Sequence, residues 1–220
     1  MKLTRWIAIV GLAALLFAPV GAFAHPHVWI DMSTKLLFDK NGHVRALEIY
    51  WLFDPFYSAH LGLSIRQIEK AGKKNAHRTF AGEMAGRLRK HSYFTEATAD
   101  GKRLRFARHL DASSGKIDSG KNQGRFWTRF TIEFEKPVNP KRQNFVYAVY
   151  DPTYYIEILH VEKKPAFTLA GIAPNQCLGR LIKPNPDAEA RMFAAALDKT
   201  QSGGNDLGRL FAEKVALQCK

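Results

Sequence analysis

Residues 27–53 read HVWIDMSTKLLFDKNGHVRALEIYWLF. Two runs rich in β-branched and aromatic side chains, 27–38 and 43–53, flank the tetrapeptide DKNG. Asn41-Gly42 is a hairpin signal, because the tight turn between antiparallel strands needs residues that accept positive φ. The stretch therefore predicts two long antiparallel strands. If the first extends back through residue 25, alternation puts His25, His27, Trp29 and Asp31 on one face. Pro26, Val28 and Ile30 then share the other face, which is the better core face.

Reading outward, Asp54-Pro55 breaks the strand pattern and opens a helical region. Phe80, Met84 and Leu88 recur every four residues and predict a helix over 79–91. YFTEATADGKRLRF, 93–106, predicts a second hairpin about Asp100-Gly101. Residues 111–124, polar and glycine-rich, predict a mobile loop. In 125–135, Phe126, Thr128, Phe130, Ile132 and Phe134 alternate as the buried face of a strand. Residues 143–161 predict another long strand, interrupted at Asp151-Pro152 by a bulge, a corner or a strand end, because proline cannot donate to a ladder. Pro186–Lys199 and Asp206–Gln218 read as C-terminal helices split by TQSGGN. Strands first, with a helix inserted and helices appended, argue for an α+β fold on an antiparallel sheet.

The ends of the chain speak to its location. Lys2 and Arg5 precede an apolar run from Ile7 to Val20, and Ala22 and Ala24 flank Phe23. This is the pattern of a secretory signal over residues 1–24, cut after Ala24. The apolar run is shorter than the roughly 20 residues a spanning helix needs, and no later segment is apolar enough to span. The expectation is a single periplasmic domain over 25–220 with His25 at its N-terminus. Loss of Lys2 and Arg5 lowers the formal charge from +13 to +11. An exported basic protein has little prospect of meeting nucleic acid. An anionic membrane surface, a cell-wall polymer or an acidic protein is the expected counterpart. Its cations are scattered through 70–74, 87–90 and 102–105 as a solvated surface. Cys177 and Cys219 make an even count in an oxidising compartment, which favours a disulfide over a pair of thiolate metal ligands.

His25-Pro26-His27 is the segment richest in chemistry. A free N-terminal histidine offers an amine and an imidazole to one metal, and His27 adds a second ring. Such nitrogen ligands suit copper, nickel, zinc or cobalt. The square-planar amino-terminal copper/nickel site is excluded, since it needs a deprotonated backbone nitrogen at the second residue and Pro26 has no N–H. Asp31 is a candidate ligand or a partner that orients an imidazole. Asp54 and Asp151 each precede a proline, where an aspartate often makes a local turn. His60 lies on the helix after the break, His43 is expected to be exposed, Tyr154 and Tyr155 are expected in the core or sheet, and His160 lies on a strand. No Ser-His-Asp signature, phosphate loop, Cys-x-x-Cys or His-Glu-x-x-His occurs, and no enzymatic role is expected.

HPHVWID, WLFDPFYSAH, HSYFTEATADGK, YAVYDPTYYIEI and the late cysteine pair occur in that order. In this the chain resembles the bacterial periplasmic family of domain of unknown function 1007, often described as the periplasmic component of an uncharacterised ABC-type transport system. The resemblance covers the whole of 25–220. It implies handling of a divalent transition metal beside an inner-membrane metal permease. The positions matching its motifs are His25, His27, Asp31, Asp54 and Asp151. Relatives carry an aspartate-rich, calcium-loop-like segment where this chain has LGLSIRQIEKAGKK, which lacks the alternating oxygen ligands of such a loop. The remaining chain is also short for a two-lobed solute carrier and lacks alternating strand–helix units. Two functions lead: an accessory protein that binds zinc, nickel, cobalt or copper for a transport system, or a metal-free interaction module of a permease or envelope complex; a copper enzyme built on the N-terminal amine and ring would need a third histidine facing the pair.

Overall fold

The computed structural model describes residues 26–162, 165–173, 175–197, 201, 203–204 and 206–220. The expected signal segment and His25 lie outside the described residues. The hairpin read from 27–53 is present as β1 (Val28–Phe38) and β2 (Val44–Phe53), with Leu36 facing Leu47 in register. The strand starts at Val28 rather than at 25, and His27 lies in the bend before it. The alternation holds from there. Val28, Ile30 and Met32 are buried, while Trp29 and Asp31 are exposed.

Two sheets form around this hairpin. The first runs β5 (Phe106–Lys116), β6 (Phe126–Val138), β2, β1, β8 (Ile156–His160), with β9 (Phe167–Ala170) also pairing with β1. The second runs β10 (Cys177–Ile182), β11 (Lys214–Cys219), β7 (Phe145–Val149), β3 (Thr95–Ala99), β4 (Lys102–Arg103). The α+β class stands, but the single antiparallel sheet becomes two. β8 and β9 pair with β1 in parallel, since the chain returns to that edge only after crossing into the second sheet.

Helix α1 (Pro55–Lys70) and helix α2 (Ala76–Leu88) follow the hairpin, and a 3-10 segment covers Arg89–Phe94. Leu61 and Ile65 of α1 and Phe80 of α2 join Met32, Leu47, Phe130, Phe145 and Tyr147 in one continuous core. Full burial of each such side chain contributes about 1.5–3 kcal/mol. Thr34 of the first sheet and Tyr147 of the second meet through their hydroxyls at 2.6 Å inside it. Burial raises the Tyr147 phenol well above its usual range.

Three sequence expectations change. The loop expected over 111–124 is shorter, because β5 continues to Lys116 against β6. A register shift between Leu110 and Ser113, with Asp111 at φ +51°, absorbs the polar residues in a bulge. Gly115 is held there by packing: a Cβ would lie 2.6 Å from the Trp127 ring. The strand expected over 143–161 is two strands in different sheets, so Asp151-Pro152 is a corner. The helix expected over 206–218 is only the turn α4 (Leu207–Leu210), and the chain then enters β11. Its alternation, with Val215 and Leu217 buried, was masked by helix-compatible residues. The other C-terminal helix is α3 (Ala188–Ala196). It packs with Tyr154, Leu207 and Phe211 in a small second core.

Cys177 and Cys219 face each other in the β10–β11 register and form a disulfide. At the opposite end of this strand pair, Glu213 is 1% exposed. Its carboxylate accepts from the His160 backbone N–H at 2.6 Å, from the His160 ring at 2.8 Å and from the Lys183 ammonium. β8 of the first sheet is thereby tied to the β10–β11 pair of the second. Burial alone would raise the Glu213 carboxyl. The bonds from His160 and Lys183 overcome it and hold the group down at about 2.

Two stability predictions arise here. A cross-link spanning 42 positions restricts the unfolded chain, so a Cys177→Ser/Cys219→Ser variant should lose about 4 kcal/mol in denaturant unfolding. For Glu213 the folded value lies below the unfolded one. Its contribution is therefore complete above pH about 4.3 and disappears as pH falls toward about 2. Stability measured against pH should drop by on the order of 3 kcal/mol across that window. Glu213→Gln should flatten this part of the profile.

Candidate functional site

The start of β1 is the point where the sequence-derived candidates can be judged. It lies between the end of β2 and the start of β8, with Ile30 opposite Phe53 and Val28 opposite Ile156. Each neighbour ends or begins at an Asp-Pro dipeptide. Asp54 closes β2 and opens α1. One carboxylate oxygen accepts from the Tyr57 N–H at 2.8 Å as an N-cap, and the other accepts from the Trp29 N–H at 3.1 Å. The Asp54 N–H donates to the Trp29 carbonyl at 2.9 Å. Pro55 occupies the first helical turn, where its missing N–H costs nothing.

Asp151 does the matching work on the other side. It is 5% exposed. Its carboxylate accepts from the Thr153 N–H at 3.0 Å, the Thr153 hydroxyl at 2.9 Å and the Ile156 N–H at 3.0 Å. The last of these fixes where β8 begins. Gly208 backs the corner so closely that a Cβ there would lie 1.8 Å from the Asp151 carbonyl oxygen. Its N–H donates to the Pro152 carbonyl at 3.0 Å.

Asp31, on the outer face of β1, pairs with the Arg125 guanidinium at 2.8 Å. Arg125 also donates to the Phe53 carbonyl at 2.6 Å and the Leu52 carbonyl at 3.0 Å, capping the end of β2. His27 is half-buried. Its N–H donates to the Tyr155 carbonyl at 2.9 Å, and its ring lies 4.8 Å from the Tyr155 ring. Asp54, Trp29, Asp31 and His27 thus share one end of the first sheet. Asp151 supports that end from within. Among the described residues, no three His, Cys, Asp or Glu side chains are grouped to hold a metal ion.

The same end carries exposed aromatic surface, of which alternation placed only Trp29. Trp29 is 50% exposed, Phe56 86% and Tyr155 40%. Tyr57, between the rings of Phe53 and His60 at 5.5 and 5.8 Å, backs this rim. Burial raises its phenol, and Tyr155 adds to the effect. Tyr155 is thus a rim residue, whereas Tyr154 is buried against Phe211 at 4.1 Å. His60 is exposed on α1, and His160 is the buried partner of Glu213. His43 is half-buried beside Asp39, whose carboxylate accepts its backbone N–H. Arg125 and Phe56 were not legible as site residues. A lone arginine before a strand and a lone phenylalanine after a proline carry no signal until the fold places them.

Replacing Asp54 with alanine removes a helix cap and the tie to β1, each worth about 1 kcal/mol. Denaturant unfolding should show a loss of about 2 kcal/mol. Asp54→Asn, which keeps one acceptor oxygen but sets an NH2 against the other N–H, should recover no more than about half of it.

No helix among the described residues is long and apolar enough to cross a membrane. The chain is 27% identical over 215 residues to an uncharacterized protein of Haemophilus influenzae (strain ATCC 51907 / DSM 11121 / KW20 / Rd), covering 93% of this chain and 96% of that one. A family model described as protein of unknown function (DUF1007) matches residues 10–219, and the chain belongs to that family.

Proposed function

We propose that this is a non-enzymatic periplasmic accessory protein that holds a divalent transition metal at its N-terminal end beside an inner-membrane metal permease. The observation that supports it is the position of His27. The half-buried imidazole lies in the bend directly before β1, its ring 4.8 Å from the Tyr155 ring, and the exposed Trp29 and Asp31 follow on the strand. Two corners clamp the strand there, so a ligand set begun by His25 and His27 would be anchored to a rigid edge. Zinc, nickel, cobalt and copper all accept imidazole, and Asp31 can join or orient the rings. Asp54 and Asp151 then act by fixing the strands around the rim, since their oxygens already accept backbone N–H groups.

Titration of the exported protein with each of the four metals tests this. Wild type should bind one ion, and His25→Ala/His27→Ala should bind at least about 10-fold more weakly, as expected on loss of ligands. Equal affinity in the two proteins would refute the reading.

The rim aromatics favour a second reading, in which the same end docks a permease or envelope partner without metal. Exposed Trp29, Phe56 and Tyr155 have the composition of an interface centre. In that case Trp29→Ala/Phe56→Ala should abolish capture of the partner from detergent-solubilised inner membrane, while the double histidine variant keeps it.

A further inference from the structure

We propose that a second site, a basic cleft beside the Arg89–Phe94 segment, binds a small polyanion bearing carboxylate or phosphate groups. The cleft has a volume of about 470 Å³, within the range of small-molecule sites. Arg89, Arg103 and Arg105 line it, with Tyr93 and Phe106 as aromatic wall and Glu135 as the one carboxylate. The two basic runs at 87–90 and 102–105 look like scattered surface charge in the sequence. The hairpin β3–β4 and the turn after α2 bring them to one opening.

Among the described residues, neither Arg103 nor Arg105 is ion-paired with a carboxylate. Arg89 donates to the Ala107 carbonyl at 3.2 Å, which holds it against the wall and leaves other N–H groups of its fork. Three guanidiniums against one carboxylate leave the cleft cationic. Their planar forks match the paired oxygens of carboxylate and phosphate.

Two further features mark the place. Tyr93 is 1% exposed, and its hydroxyl has no hydrogen-bond partner among the described residues. Leaving such a group unsatisfied costs about 1–3 kcal/mol. The segment that carries it is also strained. Ser92, Tyr93 and Phe94 have φ of +53°, +57° and +53°, a left-handed turn that costs roughly 1–2 kcal/mol per L-residue. The fold holds it in place through the Thr95 hydroxyl on the Tyr93 carbonyl at 3.0 Å and the Tyr150 N–H on the Phe94 carbonyl at 2.7 Å. Strain of this kind, held by the surrounding structure, clusters at binding sites.

The cleft shares no residue with the N-terminal rim, so its test is independent of the metal. Calorimetric titration of the exported full chain with pyrophosphate and with citrate should show 1:1 binding. Arg103→Ala/Arg105→Ala should weaken the better probe by about 10-fold or more, the effect of losing charge-assisted hydrogen bonds. Lys40→Ala/Lys141→Ala, which removes the same charge from exposed turns elsewhere, should bind as wild type. Preference for citrate assigns a carboxylate ligand, and preference for pyrophosphate a phosphate. No binding of either probe, or equal weakening in both double variants, would overturn the proposal.

Discussion

The chain passes between the two sheets several times, and at the passage from β7 to β8 a buried carboxylate, that of Asp151, serves the backbone. A strand that leaves its sheet abandons backbone donors, and buried donors without partners are costly. Asp151 supplies acceptors for the N–H groups of Thr153 and Ile156, and its own carbonyl accepts the Tyr154 N–H at 3.0 Å. Pro152 removes one donor from the corner outright. β8 can then begin in register with β1, and the two sheets can enclose a common core.

Asp54 solves the same problem at the other neighbour of β1. Its carboxylate serves a helix and a strand at once, because the β2 exit and the α1 entry fall on one residue. This end of the first sheet is therefore framed by two short polar side chains that accept backbone N–H groups. The same end exposes Trp29, Asp31, Phe56 and Tyr155, with His27 half-buried before them. The division explains why residues matched by one set of family motifs have such different environments. Asp54 and Asp151 build the edge, and His27 and Asp31 are presented by it.

The two sheets are joined again at the far side of β8 by Glu213, His160 and Lys183. A buried carboxylate is tolerated only when its charge is matched and its lone pairs are filled. This one has a histidine ring, a backbone N–H and an ammonium. The disulfide closes the same β10–β11 pair at its other end. The β10–β11 pair is thereby held at both ends, by the disulfide at one and by Glu213 at the other.

Local physics made much of this legible from residues alone. The hairpin at Asn41-Gly42, the inward face of β6 and the helix across Phe80, Met84 and Leu88 follow from turn chemistry and from periods of two and nearly four. The cysteine pairing followed from parity and compartment, and Asp151-Pro152 announced a break. The sequence could not say that this break separates two sheets, because the partners of 145–149 and 156–160 lie far away in the chain. It could not distinguish a strand from a helix over 214–219, where short alternation competes with helix-compatible residues and tertiary pairing decides. Arg125, Phe56 and Glu213 acquire meaning only from neighbours at long range, as do the arginines at 89, 103 and 105. Charge runs specify a surface, and only folding determines that two of them face one cleft.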